Sequence, residues 1–183
     1  MTPNAARGSC LSFSLLLFTA CGAVEPLCDA GACASTADDA GPRAPSVLIN
    51  ELAGTGGDFV ELYNPGDEPF ALSGFGLTDA DGGVRYATSL RFATGAAIAP
   101  RGFFTIFLEA DCPATVTPCV RGEFGLSQSS GDLVTVLDAT NETLARQAYP
   151  PSGAPSGSSW ARKTDGAADF EVQPRSPGAP NAP

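Results

Sequence analysis

The chain has no histidine and a single lysine, Lys163, among its 183 residues. A serine triad needs a histidine base, so the absence of histidine excludes that mechanism. The lone lysine does not replace it, because no Ser-x-x-Lys motif ends at Lys163. Nucleophilic catalysis by serine is therefore not expected.

Basic residues are scarce as a group. Ten Lys and Arg residues stand against twenty Asp and Glu residues, which gives a net charge of −10. Nucleic-acid binding needs clustered basic side chains that displace counterions from phosphates, whereas these arginines are scattered singly. We expect no nucleic-acid partner and no attraction to an anionic membrane face.

The many acidic residues do not form a recognisable catalytic pair. Sixteen of them fall within residues 46–183, so counting alone leaves room for the two carboxylates of a glycoside hydrolase. No motif distinguishes two of them from the rest. We expect a protein that is not an enzyme and has no cofactor. An enzyme that uses surface carboxylates is kept as a third hypothesis, after the two non-catalytic roles described at the end of this section.

Long apolar runs are missing too, since none reaches the roughly 20 residues that span a bilayer. The longest, Leu11–Ala20, follows Arg7 and ends in small residues before Cys21. This pattern is typical of an export signal, which we assign to residues 1–20. The mature protein is therefore expected outside the cytoplasm.

The end of this signal, Leu17-Phe-Thr-Ala-Cys21, resembles a bacterial lipobox, although Phe18 stands where leucine is usual. The resemblance implies that Cys21 receives a diacylglycerol group and becomes the new N-terminus. Two or more acyl chains hold a protein stably on a membrane. We expect an outer-membrane or cell-surface lipoprotein that contacts the membrane through its lipid anchor only. The alternative is an ordinary cleaved signal and a periplasmic or secreted protein.

Four cysteines remain for disulfides, in the local pairs Cys28/Cys33 and Cys112/Cys119. Four cysteines allow three connectivities, of which local pairing is the simplest. Closing the Cys112–Cys119 loop would stabilise the fold by about 2.5 kcal/mol. A zinc site is not expected, because the chain has no Cys-x-x-Cys spacing and no histidine.

The composition divides the chain into a tether and one domain. Residues 21–45 are small, polar and rich in proline and glycine, so they cannot build a core and are assigned as a flexible tether. The C-terminal stretch Arg175–Pro183 has a similar composition and is also expected to lie outside the core. Residues 46–181 are assigned as the domain.

Short β-branched or aromatic segments bounded by turn residues indicate strands throughout this domain. In Phe103–Leu108 apolar residues alternate onto both faces, which predicts a strand covered on both sides. Seven short strands at this spacing suggest an antiparallel sandwich. The predicted strands are Val47–Leu52, Phe59–Tyr63, Gly74–Thr78, Val84–Ala87, Phe103–Leu108, Leu133–Asp138 and Leu144–Tyr149.

Several of these segments resemble a known family. The motifs are Val47-Leu-Ile-Asn-Glu51, Phe59-Val-Glu-Leu-Tyr-Asn-Pro-Gly-Asp-Glu-Pro69, Leu72-Ser-Gly-Phe-Gly-Leu-Thr-Asp79, Ser130-Gly-Asp-Leu-Val-Thr-Val-Leu-Asp138, Ser158-Ser-Trp-Ala-Arg162 and Ser176-Pro-Gly-Ala-Pro-Asn181. Together they resemble the lamin tail domain over nearly all of residues 46–181. The resemblance implies an all-β, immunoglobulin-like antiparallel β-sandwich, and bacterial members that are exported. Two departures are Ser176, where threonine is typical, and the Asp111–Val120 loop, which looks like an insertion.

Three polar residues in apolar strands are candidates for a site. A carboxylate such as Glu61 is costly inside a strand unless it is hydrogen-bonded or partnered. Glu61 could contact a ligand or metal, but we favour a structural role in which it accepts backbone N–H bonds or pairs with an arginine such as Arg162. Asn50 and Glu51 are interpreted in the same way.

The turn Asp79-Ala-Asp-Gly-Gly83 is compared with a calcium loop. An EF-hand loop needs oxygen ligands over twelve residues with a glutamate at the last, and that position holds Leu90. We interpret the segment as a hairpin turn. A weak calcium site using Asp79 and Asp81 stays open, and no other metal site is expected.

Trp160, the only tryptophan, is expected to close one end of the core rather than to serve as an exposed recognition residue. The leading functional hypothesis is a non-catalytic envelope or surface module that binds an envelope or extracellular protein or glycan. The alternative is an accessory subunit that localises a separate hydrolase at the cell envelope. No residue identifies the ligand.

Overall fold

The computed structural model of the chain describes residues 46–79 and 90–182. Several sequence-based assignments lie outside these residues and stay predictions. They are the signal at 1–20, the tether at 21–45, Cys21, Cys28, Cys33, Asp81 and the strand Val84–Ala87.

Strands are the dominant regular structure of the described residues, which contain no helix that could cross a membrane. Their bounds are Leu48–Ala53 (β1), Phe59–Tyr63 (β2), Phe70–Ala71 (β3), Gly76–Thr78 (β4), Leu90–Arg91 (β5), Ala97–Ile98 (β6), Phe103–Leu108 (β7), Cys119–Gly122 (β8), Asp132–Leu137 (β9), Thr143–Tyr149 (β10), Ser158–Arg162 (β11) and Phe170–Pro174 (β12).

These strands form the two main sheets of a sandwich and one small ribbon. The six-stranded sheet has the order β12-β11-β1-β2-β7-β8, and the four-stranded sheet the order β10-β9-β4-β5. Strands β3 and β6 pair with each other. The expected all-β, immunoglobulin-like antiparallel sandwich is confirmed, with one exception: β7 and β8 run parallel. Parallel neighbours need a longer crossover than a hairpin, and the loop between these two strands provides it.

The core lies between the two main sheets. Leu62 and Ile106 from the six-stranded sheet and Leu77 and Val134 from the four-stranded sheet belong to one buried cluster. Trp160 is half-buried against this cluster and stacks on Phe170, with ring centroids 6.1 Å apart. It therefore packs on the core margin, beside the terminal strand β12.

The six-stranded sheet is also covered on its outer face. Phe107 of β7 packs there with Phe59 and Ala53, while Phe104 and Ile106 of the same strand belong to the main core. The expectation that β7 is covered on both sides is confirmed. Since Phe59 and Phe107 are neighbours in the β2–β7 register, their rings lie 5.8 Å apart.

The loop before β8 helps to cover this outer face. Cys112 and Cys119 form a disulfide with their Cα atoms 6.1 Å apart, which confirms the local pairing for these two cysteines. Val116, at the middle of the loop, and Cys119 pack against the Phe59–Phe107 cluster. The disulfide therefore closes the loop that places Val116 on the outer face.

A bulge in β1 changes which side chains face outward. The β1–β2 register shifts between Ile49, which pairs with Leu62, and Glu51, which pairs with Glu61. A bulge places two residues of one strand opposite one residue of its partner. Asn50 and Glu51 consequently both contact groups on the outer face, whereas Ile49 belongs to the main core.

Two glycines with positive φ allow the cost of backbone strain to be measured apart from the cost of a steric clash. Gly131 (φ 76°) and Gly157 (φ 84°) have similar backbone conformations. A Cβ at Gly131 would lie 2.6 Å from the carbonyl oxygen of Tyr149, whereas one at Gly157 would meet nothing within 4 Å. We expect Gly157→Ala to lower the free energy of unfolding by about 1 kcal/mol and Gly131→Ala to lower it by about 3 kcal/mol or more. Urea denaturation measures both, and equal losses would contradict the clash.

Candidate functional site

The most unusual feature of the outer face is a pair of buried carboxyl groups. Glu51 of β1 and Glu61 of β2 are neighbours in the strand register. Both are 0% exposed to solvent. Like charges opposite each other on paired strands destabilise a sheet, so such a pair needs a specific environment.

Residues 176–181, which we call the C-terminal strap, cover this pair. The backbone N–H of Ser176 donates to Glu51 Oε1 at 3.0 Å, and its hydroxyl oxygen lies 2.9 Å from Glu51 Oε2. The backbone N–H of Gly178 donates to Glu61 Oε2 at 2.6 Å. Each carboxyl group therefore holds one residue of the strap.

A third acidic residue extends the network toward the β11–β12 turn. Asp165 Oδ1 accepts hydrogen bonds from Asn50 Nδ2 at 2.9 Å and from the backbone N–H of Asn181 at 3.0 Å. The Asn50 amide also reaches Glu61 Oε1 at 3.3 Å. Because the β1 bulge turns Asn50 outward, this amide connects two acidic side chains that are far apart in sequence.

Burial and charge both act on these carboxyl groups. Loss of water around Glu61 is the main reason that its pKa rises from 4.5 to about 8, and the nearby Glu51 and Asp165 raise it further, against the hydrogen bonds from Gly178 and Asn50. Burial also raises the pKa of Glu51 above 4.5, opposed by Ser159, Ser176 and the charge of Arg175. The pKa of each group therefore lies above its ordinary value of 4.5.

The Ser176 hydroxyl connects Glu51 with another residue of the strap. The Ser176 hydroxyl lies close to Glu51 Oε2 and, at 3.1 Å, to Asn181 Oδ1. The orientation of the Asn181 amide is fixed because its Nδ2 donates to the Arg162 carbonyl at 2.8 Å. A serine hydroxyl has one hydrogen to donate. It donates to Glu51 Oε2 and shares this hydrogen with Asn181 Oδ1, so Ser176 links the Glu51 carboxyl to Asn181 of the strap.

Arg162 does not neutralise the pair. Its Nε donates to the Ile49 carbonyl at 2.8 Å and another guanidinium nitrogen donates to the Ala167 carbonyl. The guanidinium also lies 4.8 Å from the centre of the Phe170 ring. The hypothesis that Glu61 accepts a backbone N–H bond is confirmed by Gly178. The suggested pairing with Arg162 is wrong, because its guanidinium donates to backbone carbonyl oxygens instead.

The carboxyl groups of this network contact the strap rather than solvent. Their oxygens are occupied by amide and hydroxyl donors, and the strap separates them from solvent. Within residues 46–79 and 90–182, no group of three or more His, Cys, Asp and Glu side chains is placed to hold a metal ion. Asp79 is half-buried just after β4, and the calcium site that would combine it with Asp81 stays a prediction.

A comparison with protein-family models matches residues 41–151 to the Lamin Tail Domain. The chain belongs to the lamin tail domain family. The match covers more than half of the chain, and the family consists of non-catalytic immunoglobulin-like domains, in agreement with the sandwich. A comparison with curated proteins found no match.

The lamin tail match ends before the strap begins, so the residues that complete the network lie beyond it. Sequence reasoning identified Asn50, Glu51 and Glu61 but not their partners. Composition indicated that the C-terminal stretch is non-core, yet Asn181 is only 6% exposed and the strap covers buried carboxyl groups. The signal that could have indicated an ordered strap was the closing motif Ser176–Asn181, which is one of the segments that resemble the lamin tail domain.

Glu61 should make the stability of the domain depend on pH. Its pKa is higher in the folded state than in the unfolded state, so its contribution is present at low pH and is lost as the pH rises from about 4.5 toward about 8. Glu61→Gln removes the titration. We expect wild type to lose about 4 kcal/mol more than the variant between pH 5 and pH 9, measured by urea denaturation.

The test compares how steeply the free energy of unfolding falls with pH in wild type and in Glu61→Gln, because the substitution itself also destabilises the fold. The new amide nitrogen must face either the Gly178 N–H or Asn50 Nδ2, both of which are donors, and this mismatch costs about 1–3 kcal/mol at every pH. Glu142→Gln, in the exposed β9–β10 turn, is the matched control and should follow wild type. Parallel curves for wild type and Glu61→Gln would show that Glu61 does not titrate in this range.

Proposed function

We propose that this lamin tail domain is a non-catalytic binding or structural module that is exported and anchored to the cell envelope through Cys21. The observation that carries the non-catalytic role is the burial of Glu51 and Glu61. A catalytic carboxyl must reach its substrate within hydrogen-bond distance, whereas these two are 0% exposed and bind the strap. Both carboxyl groups therefore have a structural role, which is to hold the strap.

The N-terminal sequence supports the location. The apolar run Leu11–Ala20 and the lipobox-like ending at Cys21 favour export followed by lipidation. The segment 21–45 would then place the domain away from the membrane surface. An outer-membrane or cell-surface position follows from this proposal, with a periplasmic or secreted protein as the form without lipid.

Two strand edges support a role in binding. Strands β10 and β12 are terminal strands of their sheets, and an extended segment of a partner can add to such an edge through main-chain hydrogen bonds. Leu144 of β10 and Val172 of β12 are 38% and 49% exposed. The acidic character of the chain favours an envelope or extracellular protein or glycan over a nucleic acid.

Membrane fractionation of cells that produce wild type or Cys21→Ser tests the anchoring. We expect wild type in the envelope fraction with a mature N-terminus whose intact mass shows acylated Cys21, and the variant in the soluble fraction. Cys10→Ser is the matched control, since Cys10 lies within the signal, and should fractionate as wild type does. A wild-type protein with unmodified Cys21 would contradict the lipid anchor.

Affinity recovery from the same detergent extracts distinguishes the roles. Reproducible recovery of a structural envelope protein or a glycan with wild type supports the binding module. Recovery of a hydrolase supports the alternative, an accessory subunit that localises that enzyme. Turnover of a polysaccharide by the purified protein that disappears on substitution of a surface carboxylate would overturn the non-catalytic proposal.

A further inference from the structure

The strap uses its backbone in an unusual way. Pro177 and Pro180 have no N–H group, which leaves four N–H donors among residues 176–181. Ala179 donates within the strap, to the Ser176 carbonyl. The other three donate to acidic side chains: Ser176 to Glu51, Gly178 to Glu61, and Asn181 to Asp165.

No strand ladder holds these six residues, because β12 ends at Pro174. Side-chain contacts add to the same network: the Ser176 hydroxyl joins Glu51 and Asn181, and the Asn181 amide donates to the Arg162 carbonyl. The strap is therefore attached mainly through three acidic side chains, with one further bond from Asn181 to the Arg162 carbonyl of β11.

We propose that the C-terminal strap is a proton-controlled latch, which stays on the sheet while the Glu51–Glu61 pair holds a proton and detaches when both carboxyl groups ionise. The latch is a property of the domain and does not depend on the anchoring at Cys21. Its opening uncovers the outer face of the six-stranded sheet.

The charges around the pair make double ionisation costly in the closed state. Glu51, Glu61 and Asp165 are all acidic, and the elements packed against them offer little compensation. Arg162 of β11 donates to backbone carbonyls. Arg175, just before the strap, lowers the pKa of Glu51 through its charge, but its guanidinium donates to the Gly56 and Gly57 carbonyls.

Among the residues that the structure describes, the remaining neighbours add no positive charge. Strand β7 presents Thr105, whose hydroxyl lies 3.4 Å from Glu61 Oε2. The loop before β8 presents Val116 and the Cys112–Cys119 disulfide, which does not titrate. Lys163 lies near Asp169, 3.8 Å away at the surface. A second negative charge on the pair thus requires water, and water reaches it when the strap moves away.

Local opening is possible because the strap lies against the fold rather than within it. A Cβ at Gly178 would lie 3.0 Å from Val116 Cγ1, so the strap packs on the disulfide loop. The β2–β7 ladder and the main core lie on the other side of the carboxyl groups. Detachment of residues 176–181 leaves these strand pairs intact.

Amide hydrogen exchange of the 15N-labelled full chain, followed by NMR and normalised to the intrinsic rate at each pH, tests the latch. We expect the protection of the Ser176, Gly178 and Asn181 amides to fall at least about tenfold between pH 6 and pH 9. The Ile106 amide in β7 should keep its protection. In Glu61→Gln the protection at Gly178 should change less than about twofold over this range, while Glu142→Gln should behave as wild type.

Two results would overturn the latch. One is constant protection of the three strap amides in wild type between pH 6 and pH 9, which needs no variant to interpret. The other is a parallel loss at Ile106, which would mean that the whole domain opens. Should Glu61→Gln not fold, Ser176→Ala serves instead: it removes the hydroxyl link, and its strap should be less protected than that of wild type already at pH 6.

Discussion

Two glutamates that face each other across β1 and β2 constrain the whole outer face of the six-stranded sheet. Their positions are fixed by the strand register, so neither can move away from the other without breaking the sheet. Burying an ionised carboxylate costs far more than burying a neutral one. Burial therefore raises the pKa of both carboxyl groups, and the C-terminal strap supplies hydrogen-bond donors and a cover for them.

The sequence-based fold was most accurate where aromatic and β-branched residues alternate. Strands β2 and β7 have the predicted bounds, because their side chains are buried on both faces of the sheet. Strands β3, β5 and β6 were not predicted, since two residues carry no readable period. Strand β11 was missed because the small residues Ser159 and Ala161 pack where larger apolar residues were expected.

The candidate site was only half visible in the sequence. Glu61 could be singled out because a carboxylate in an apolar strand needs a partner. Its partner could not be identified, since Gly178 lies 117 residues away and contributes a backbone N–H rather than a side chain. The same composition that indicated a non-core terminus, rich in proline and glycine, allows the strap to lie flat and present its amides. The β1 bulge that turns Asn50 outward left no pattern in the sequence.

The central claim is that Glu61 keeps its proton at neutral pH, and the side-chain carboxyl carbon of Glu61 reports on that proton directly. A carbon-13 NMR titration of the full chain from pH 3 to pH 10 should show this carbon changing near pH 8. Glu123, whose pKa is lowered by the hydrogen bond and charge of Arg121, should change below pH 4.5 in the same samples. A Glu61 carbon that titrates near the ordinary value of 4.5 would contradict the account.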